Sequence, residues 1–219
     1  MSYTAGFKNV RWIVLGDTVG YGADPNACFE WVSKQAHLKL MGNHEKAVVD
    51  FKLRDWFNPD ARAAIEWTAS VLDADWLKAI PGLPYLKIEA DVIYTHSSPD
   101  DPDQFRYLLS FEDAEPSFRA FKEPLCFFGH THIPSSFCEQ TRRMEHLRPG
   151  VMHLDADRRY LINPGSVGQP RDSDKRLCFG VYDPGAATFE IVRLNYDNQK
   201  AAKKIRKAGL PGVFVDRLL

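Results

Sequence analysis

Cysteine is scarce and scattered in this chain: Cys28, Cys126, Cys138 and Cys178 are the only four in 219 residues, and no two form a CxxC pair. That spacing excludes a disulfide scaffold and a structural thiolate zinc site, and the thiols are expected to be reduced and packed in or near the core. Long hydrophobic runs are missing too. No stretch approaches the ~18 apolar residues of a spanning helix, and residues 1–8 lack the apolar segment of a secretory leader. The expectation is a soluble, cytoplasmic protein with no membrane partner. Nor is there an excess of charge of one sign, since 28 Lys+Arg against 29 Asp+Glu leave a formal net charge of -1. The mixture offers no nucleic-acid-binding patch. Without internal repeats or low-complexity segments, the length predicts one domain over residues 1–219, its core running from Lys8 to about Gly209.

What the chain does have is short apolar runs of strand length. Strands are expected at residues 10–15, 38–41, 85–88, 92–95, 125–128, 136–140, 151–154 and 160–162, with a hairpin formed by 177–182 and 188–194 around Asp183-Pro184-Gly185. Asp24-Pro25 starts a helix with Cys28, Trp31 and Val32 on its apolar face. Asn58-Pro59 starts another that uses Ala61, Ile65, Thr68, Val71 and Leu72. Further helices are expected after Gly42, near Trp76-Leu77, over residues 110–121, and after Asp197. The last turns Ala201, Ile205 and Ala208 inward, keeps Lys200, Lys203, Lys204 and Lys207 on a solvated face, and stops at Gly209 and Pro211.

Four of the strands end in a potential metal ligand. Residues 10–15 run into Gly16-Asp17, 38–41 into Gly42-Asn43-His44-Glu45, 92–95 into His96, and 125–128 into Gly129-His130-Thr131-His132. Two histidines one residue apart are as readily solvated loop residues as ligands. If the chain stays extended there, however, both imidazoles fall on one side. Strand carboxyl ends converge in open α/β architectures, so Asp17, Asn43, His96, His130 and His132 can meet. A carboxylate, an amide oxygen and imidazoles favour Mn, Fe, Co, Ni or Zn, and two such ions ~3.5 to 4 Å apart suit phosphoryl transfer.

As a set, GD, GNHE, the lone strand-end histidine and GHTH resemble the calcineurin-like metallophosphoesterase superfamily, with the small bacterial and archaeal phosphodiesterases nearest. The resemblance extends to GDTVGYGADPN at residues 16–26 and NPGSVGQPRD at 163–172, and covers about residues 10–209. It implies an α/β (α+β) fold, a two-sheet sandwich flanked by helices with the metals at the strand ends. It implies that Asp17 bridges two divalent ions, that Asn43, His96 and His130 hold the second, and that His132 holds the first. His44 would act on the leaving oxygen as proton donor or charge stabiliser. The implied activity is hydrolysis of a phosphomonoester or phosphodiester by metal-bound hydroxide.

In one respect the pattern departs from the family, whose members open with a strand ending in Asp-x-His that supplies two ligands of the first metal. Only about nine residues precede the first strand here, so that strand and its helix are expected to be missing before residue 9. One ion instead of two is then the alternative expectation, and a catalytically impaired scaffold for protein interaction is the competing function. Arg171 either contacts substrate phosphate or pairs with Asp172 or Asp174. Glu45 reads as a first-turn helix carboxylate favoured by the macrodipole. His37, His146 and His153 lack the strand-glycine context, and Ser166 lacks a paired base.

Overall fold

A computed structural model of the chain describes residues 3–219. The expected apolar runs become strands, and their side chains alternate between two faces. The first strand, β1 (Trp12–Val14), leads through α1 (Pro25–Gln35) into the parallel strand β2 (Ala36–Lys39). The helices α2 (Asn43–Val49), α3 (Pro59–Val71) and α4 (Ala74–Ala79) follow. Asn58 caps α3 as its sequence position predicts, its Oδ1 accepting from Ala61 N at 3.0 Å.

The hairpin β3 (Leu86–Glu89) and β4 (Val92–Thr95) turns at Ala90 and Asp91, both with positive φ (47° and 63°), as a two-residue primed turn requires. Then come α5 (Phe111–Ala120), β5 (Leu125–Phe127), β6 (Ser135–Cys138), β7 (Arg143–His146), β8 (Gly150–His153) and β9 (Tyr160–Asn163). The hairpin β10 (Leu177–Asp183) and β11 (Thr188–Leu194) precedes α6 (Asn198–Lys207) and α7 (Val213–Asp216).

A six-stranded sheet runs in the order β3-β4-β5-β9-β6-β7, with β4, β5 and β9 mutually parallel at its centre. A three-stranded antiparallel sheet runs β10-β11-β8, and β1-β2 form a separate parallel pair. Period two then builds two cores from one sheet. Val92, Leu125, Phe127, Tyr160 and Ile162 pack on Cys178, Phe189 and Ile191 of the smaller sheet. Their chain neighbours Ile93, Cys126 and Leu161, with Phe137, pack on Phe111, Ala114 and Phe118 around α5. The expected two-sheet α/β sandwich is the observed one.

Several local expectations shift. Cys28 is exposed rather than packed in the core, and Trp31 is 47% exposed. The buried stripe of α1 is Pro25, Phe29 and Val32, a spacing of four and three that leaves Cys28 and Trp31 off its axis. Trp31 lies edge-on to Trp12 instead. Val71 is exposed at the end of α3, and α6 buries Ala202 and Ile205. Strand β7 and helix α7 were not expected. Both are short, and α7 is held because Phe214, Val215 and Leu218 bury against Ala64 and Ile205. No helix of the described residues is long and apolar enough to cross a membrane.

Phe128, fully buried beside Phe137 just before the His-x-His loop, tests how far core packing supports that loop. Phe128→Ala is expected to cost about 3–5 kcal/mol in chemical denaturation, the usual range for an aromatic truncation that leaves a cavity.

Candidate metal centre

The four strand-end loops meet at one point, and each arrives there for a local reason. After β1 the chain turns through Gly16 (φ 92°) and Asp17 (φ 55°). This conformation is held by a buried carboxylate, Glu45, whose Oε2 accepts from Asp17 N at 2.8 Å and whose Oε1 accepts from Thr18 N at 2.6 Å. Glu45 Oε2 also accepts from Gly42 N at 3.0 Å, so one side chain ties the ends of β1 and β2 together. A Cβ at residue 42 would run into the Asp17 carboxylate and Glu45, so the close approach requires glycine. Asp17 Oδ1 accepts in turn from His44 N at 3.1 Å, which sets Asp17 over the start of α2.

His96, at the end of β4, donates from Nδ1 to Leu15 O at 2.6 Å. Its Nε2 then faces Asn43 Oδ1 at 3.1 Å, His130 Nδ1 at 3.2 Å and Asp17 Oδ2 at 3.4 Å. The loop after β5 is pinned to β9 by Asn163, whose Nδ2 donates to Gly129 O at 2.5 Å and Thr131 Oγ1 at 3.0 Å. His132 donates from Nδ1 to Gln169 O at 2.8 Å, leaving its Nε2 3.9 Å from Asp17 Oδ2. His130 and His132 do not share a side through strand pleating. Both have positive φ (63° and 61°), so the chain coils there and the expectation of an extended segment is overturned.

The donor set fits a divalent cation. Ligand atoms of Asp17, His96 and His130 all lie within 4.8 Å of one another, and Asn43 Oδ1 joins them. With its proton on Nδ1, His96 turns a lone pair toward an amide oxygen and a carboxylate oxygen. A proton or a cation has to sit among such acceptors. His130 Nε2 is buried without a hydrogen-bond partner. His132 flanks Asp17 on its own; among the described residues, no other His, Cys, Asp or Glu gathers with it into a second such group.

Charge and burial compete throughout. Burial would raise the Asp17 carboxyl, but the charges of His96 and His44 and hydrogen bonds from His132 and His96 hold it well below the usual range. Burial would lower His96, but the charge of Asp17 and the hydrogen bonds to Asp17 and Leu15 raise it. Burial lowers His130 to about 3, helped by the charge of His96, and lowers His44 to about 4. Burial and the Asp17 charge push Glu45 up to about 7.

His44 is buried beside the centre, its ring 4.2 Å from that of Tyr21 and its Nδ1 without a partner. A Cβ at Gly20, where φ is 126°, would collide with the same ring. Arg171 reaches Tyr21 OH at 3.2 Å, so the alternative of a surface pair with Asp172 or Asp174 is corrected: Arg193 holds Asp172, and Arg176 holds Asp174. His37, His146 and His153 are exposed, and His37 pairs with Glu89. Ser166 Oγ accepts from Gln169 N at 3.0 Å, a turn contact.

The residues missed by sequence reasoning are Glu45 in its real role, Tyr21, Asn163 and Gln169. For Glu45 a signal existed, an acid three positions after Gly42 at a helix start. Tyr21, Asn163 and Gln169 lie in stretches that resemble the family, but the contacts through which they act reach 23 to 150 residues away in the sequence, and nothing local shows those roles.

The sequence profile of the calcineurin-like phosphoesterase family matches residues 6–134. An uncharacterized protein of Methanocaldococcus jannaschii is 39% identical over 208 residues, which span 93% of this chain and 84% of that protein. The crystal structure of a metallophosphoesterase from Sphaerobacter thermophilus superposes with a TM-score of 0.87 at 36% identity, covering 98% of this chain and 89% of the other. A hypothetical protein from Pyrococcus horikoshii shares the fold, with a TM-score of 0.78 at 16% identity over 97% of this chain and 86% of its own. The chain belongs to the calcineurin-like phosphoesterase family, a metal-dependent family acting on phosphate esters.

Metal uptake should depend on pH through His96. Its pKa is raised in the metal-free protein, so its proton contributes stability that is full below the ordinary histidine value and is lost as pH rises through the raised one. A cation must displace that proton. Mn²⁺ affinity measured by calorimetry is therefore expected to climb by up to about tenfold per pH unit while His96 deprotonates, then level off. An affinity that stays flat from pH 6 to 9 would contradict this.

Proposed function

We propose that this chain is a metal-dependent phosphoesterase that hydrolyses a phosphomonoester or phosphodiester at the cluster of Asp17, Asn43, His96, His130 and His132. The observation that carries the proposal is the convergence of four strand-end ligands on one point beside a buried, unpartnered His44, in a chain of this family. Asp17, Asn43, His96 and His130 would hold one ion, and Asp17 with His132 a second; Mn, Fe, Co, Ni or Zn suits these donors. Such ions, when bound, orient the phosphoryl oxygens and activate a water as nucleophile.

The chain's own residues set the rest. Leu15 O and Gln169 O fix the Nδ1–H tautomers of His96 and His132, so both present Nε2 to the centre. His44 is neutral down to about pH 4 because burial disfavours its charged form. It would therefore stabilise the leaving oxygen as a neutral hydrogen-bond donor. Arg171 presents a guanidinium to the phosphoryl group from beside Tyr21 and His44, and its buried Nε has no partner of its own.

A second reading, a phosphoesterase-fold scaffold without turnover, is favoured by one observation: among the described residues, no group of three potential His, Cys, Asp or Glu ligands includes His132, which faces Asp17. Metal analysis and turnover separate the two. Near one ion per chain with no hydrolysis supports the scaffold, and two ions with hydrolysis support the enzyme.

With added Mn²⁺ the protein is expected to hydrolyse bis(p-nitrophenyl) phosphate, and Asp17→Ala or His130→Ala to abolish the reaction. His44→Ala should lower kcat by about 10²–10⁴ with a smaller effect on KM. A His44→Ala variant at full kcat would remove His44 from the mechanism.

A further inference from the structure

Beside the metal centre two arginines converge on one neutral side chain. Gln169 is buried, and its Oε1 accepts from Arg217 Nη1 at 2.9 Å and from Arg171 Nη2 at 3.5 Å. Among the described residues, neither guanidinium has a carboxylate within 4.0 Å, whereas the neighbouring arginines do: Arg193 holds Asp172, and Arg176 holds Asp174. Lys175, likewise without a carboxylate among the described residues, donates from Nζ to the main-chain oxygens of Asp216 at 3.3 Å and Arg217 at 3.0 Å. Like charges gathered on a neutral acceptor repel one another, and an anion placed between them removes that cost.

The cluster is tied to the centre twice. The main-chain carbonyl of Gln169 fixes the ring of His132, and Arg171 N donates to His132 O at 3.2 Å. Arg171 also contacts Tyr21 OH, and the Tyr21 ring packs on that of His44. Arg171 thus lies beside Tyr21, against the His44 ring, and Arg217 follows directly on α7. Arg171 leaves its buried Nε free, half of the fork with which arginine grips phosphate.

We propose that Arg171 and Arg217, bridged by Gln169, form a second anion subsite, and that the natural substrate is a polyanionic phosphoester carrying a further phosphate beyond the one at the metal centre. A nucleoside diphosphate is the simplest ligand of this class. The inference rests on the phosphoesterase reading for the identity of the reacting group, while the subsite itself is read by binding alone.

The test is the ratio of AMP to ADP dissociation constants, measured by calorimetry on the full chain as purified and again with Mn²⁺. The nucleoside is common to both, so the ratio isolates the added phosphate. ADP is expected to bind about tenfold tighter or more, the effect of one charge-assisted contact. The ratio should fall to within about threefold in Arg217→Met and recover in part in Arg217→Lys, which restores the charge. Circular dichroism and melting curves matching the parent exclude misfolding as the cause. Equal affinities in the parent protein, or an undiminished ADP preference in the Arg171→Met/Arg217→Met double variant, would overturn the proposal. ADP preference without any ester hydrolysis would leave the subsite standing and remove the enzymatic reading; hydrolysis without ADP preference would do the reverse.

Discussion

The carboxylate of Glu45 has no access to solvent, and it accepts three backbone N–H groups from two different loops, at Asp17, Thr18 and Gly42. A carboxylate buried in this way is unfavourable without such donors, and burial beside the negative Asp17 still raises its pKa to about 7. With the donors in place it works as a clamp. The ends of β1 and β2 cannot separate without stranding a buried charge or three buried N–H groups. Asp17 is thereby held in a left-handed conformation that an aspartate adopts only at some cost, and its carboxylate reaches the histidines.

The other ligands are fixed by a backbone carbonyl or a side-chain amide of another segment. Leu15 O orients His96, Gln169 O orients His132, and Asn163 fastens the His130 loop to β9. Each of these partners lies on a different element from the ligand it orients. The centre therefore depends on the registration of β1, β4, β5 and β9, and that registration comes from the two cores on either face of the large sheet. Packing energy far from the site is converted into ångström-scale placement within it.

Around this point the electrostatics are graded. The side facing Asn43, His96 and His130 gathers neutral and negative donors suited to a cation. The side facing Gln169 gathers guanidinium groups suited to anions. A phosphate ester bridges such a pair of environments naturally, with its oxygens toward the cation-binding donors and any further charge toward the arginines.

The ligand-type residues are legible in the sequence because each lies at or just beyond the end of a short apolar run, a pattern that depends only on neighbours along the chain. Asp17, Asn43, His96, His130 and His132 stand out that way, as do most of the strands, whereas the sandwich and the part assigned to His44 come only from the resemblance to the family. The sequence could not specify which face of α1 is buried, because Cys28, Trp31 and Phe29 are all apolar and only contact with other elements selects among them. Nor could it tell that His130 and His132 converge by left-handed coiling instead of strand pleating, since φ there is imposed by Asn163 and Gln169 from 32 to 37 residues away. Nor does the sequence show that Arg193, 21 residues away, pairs with Asp172 and that Arg176 pairs with Asp174, leaving Arg171 to Tyr21. Residue chemistry and local periodicity are written in the chain. Partnership between distant polar groups is decided only by tertiary structure, because whether a buried charge is satisfied depends on what folding places beside it.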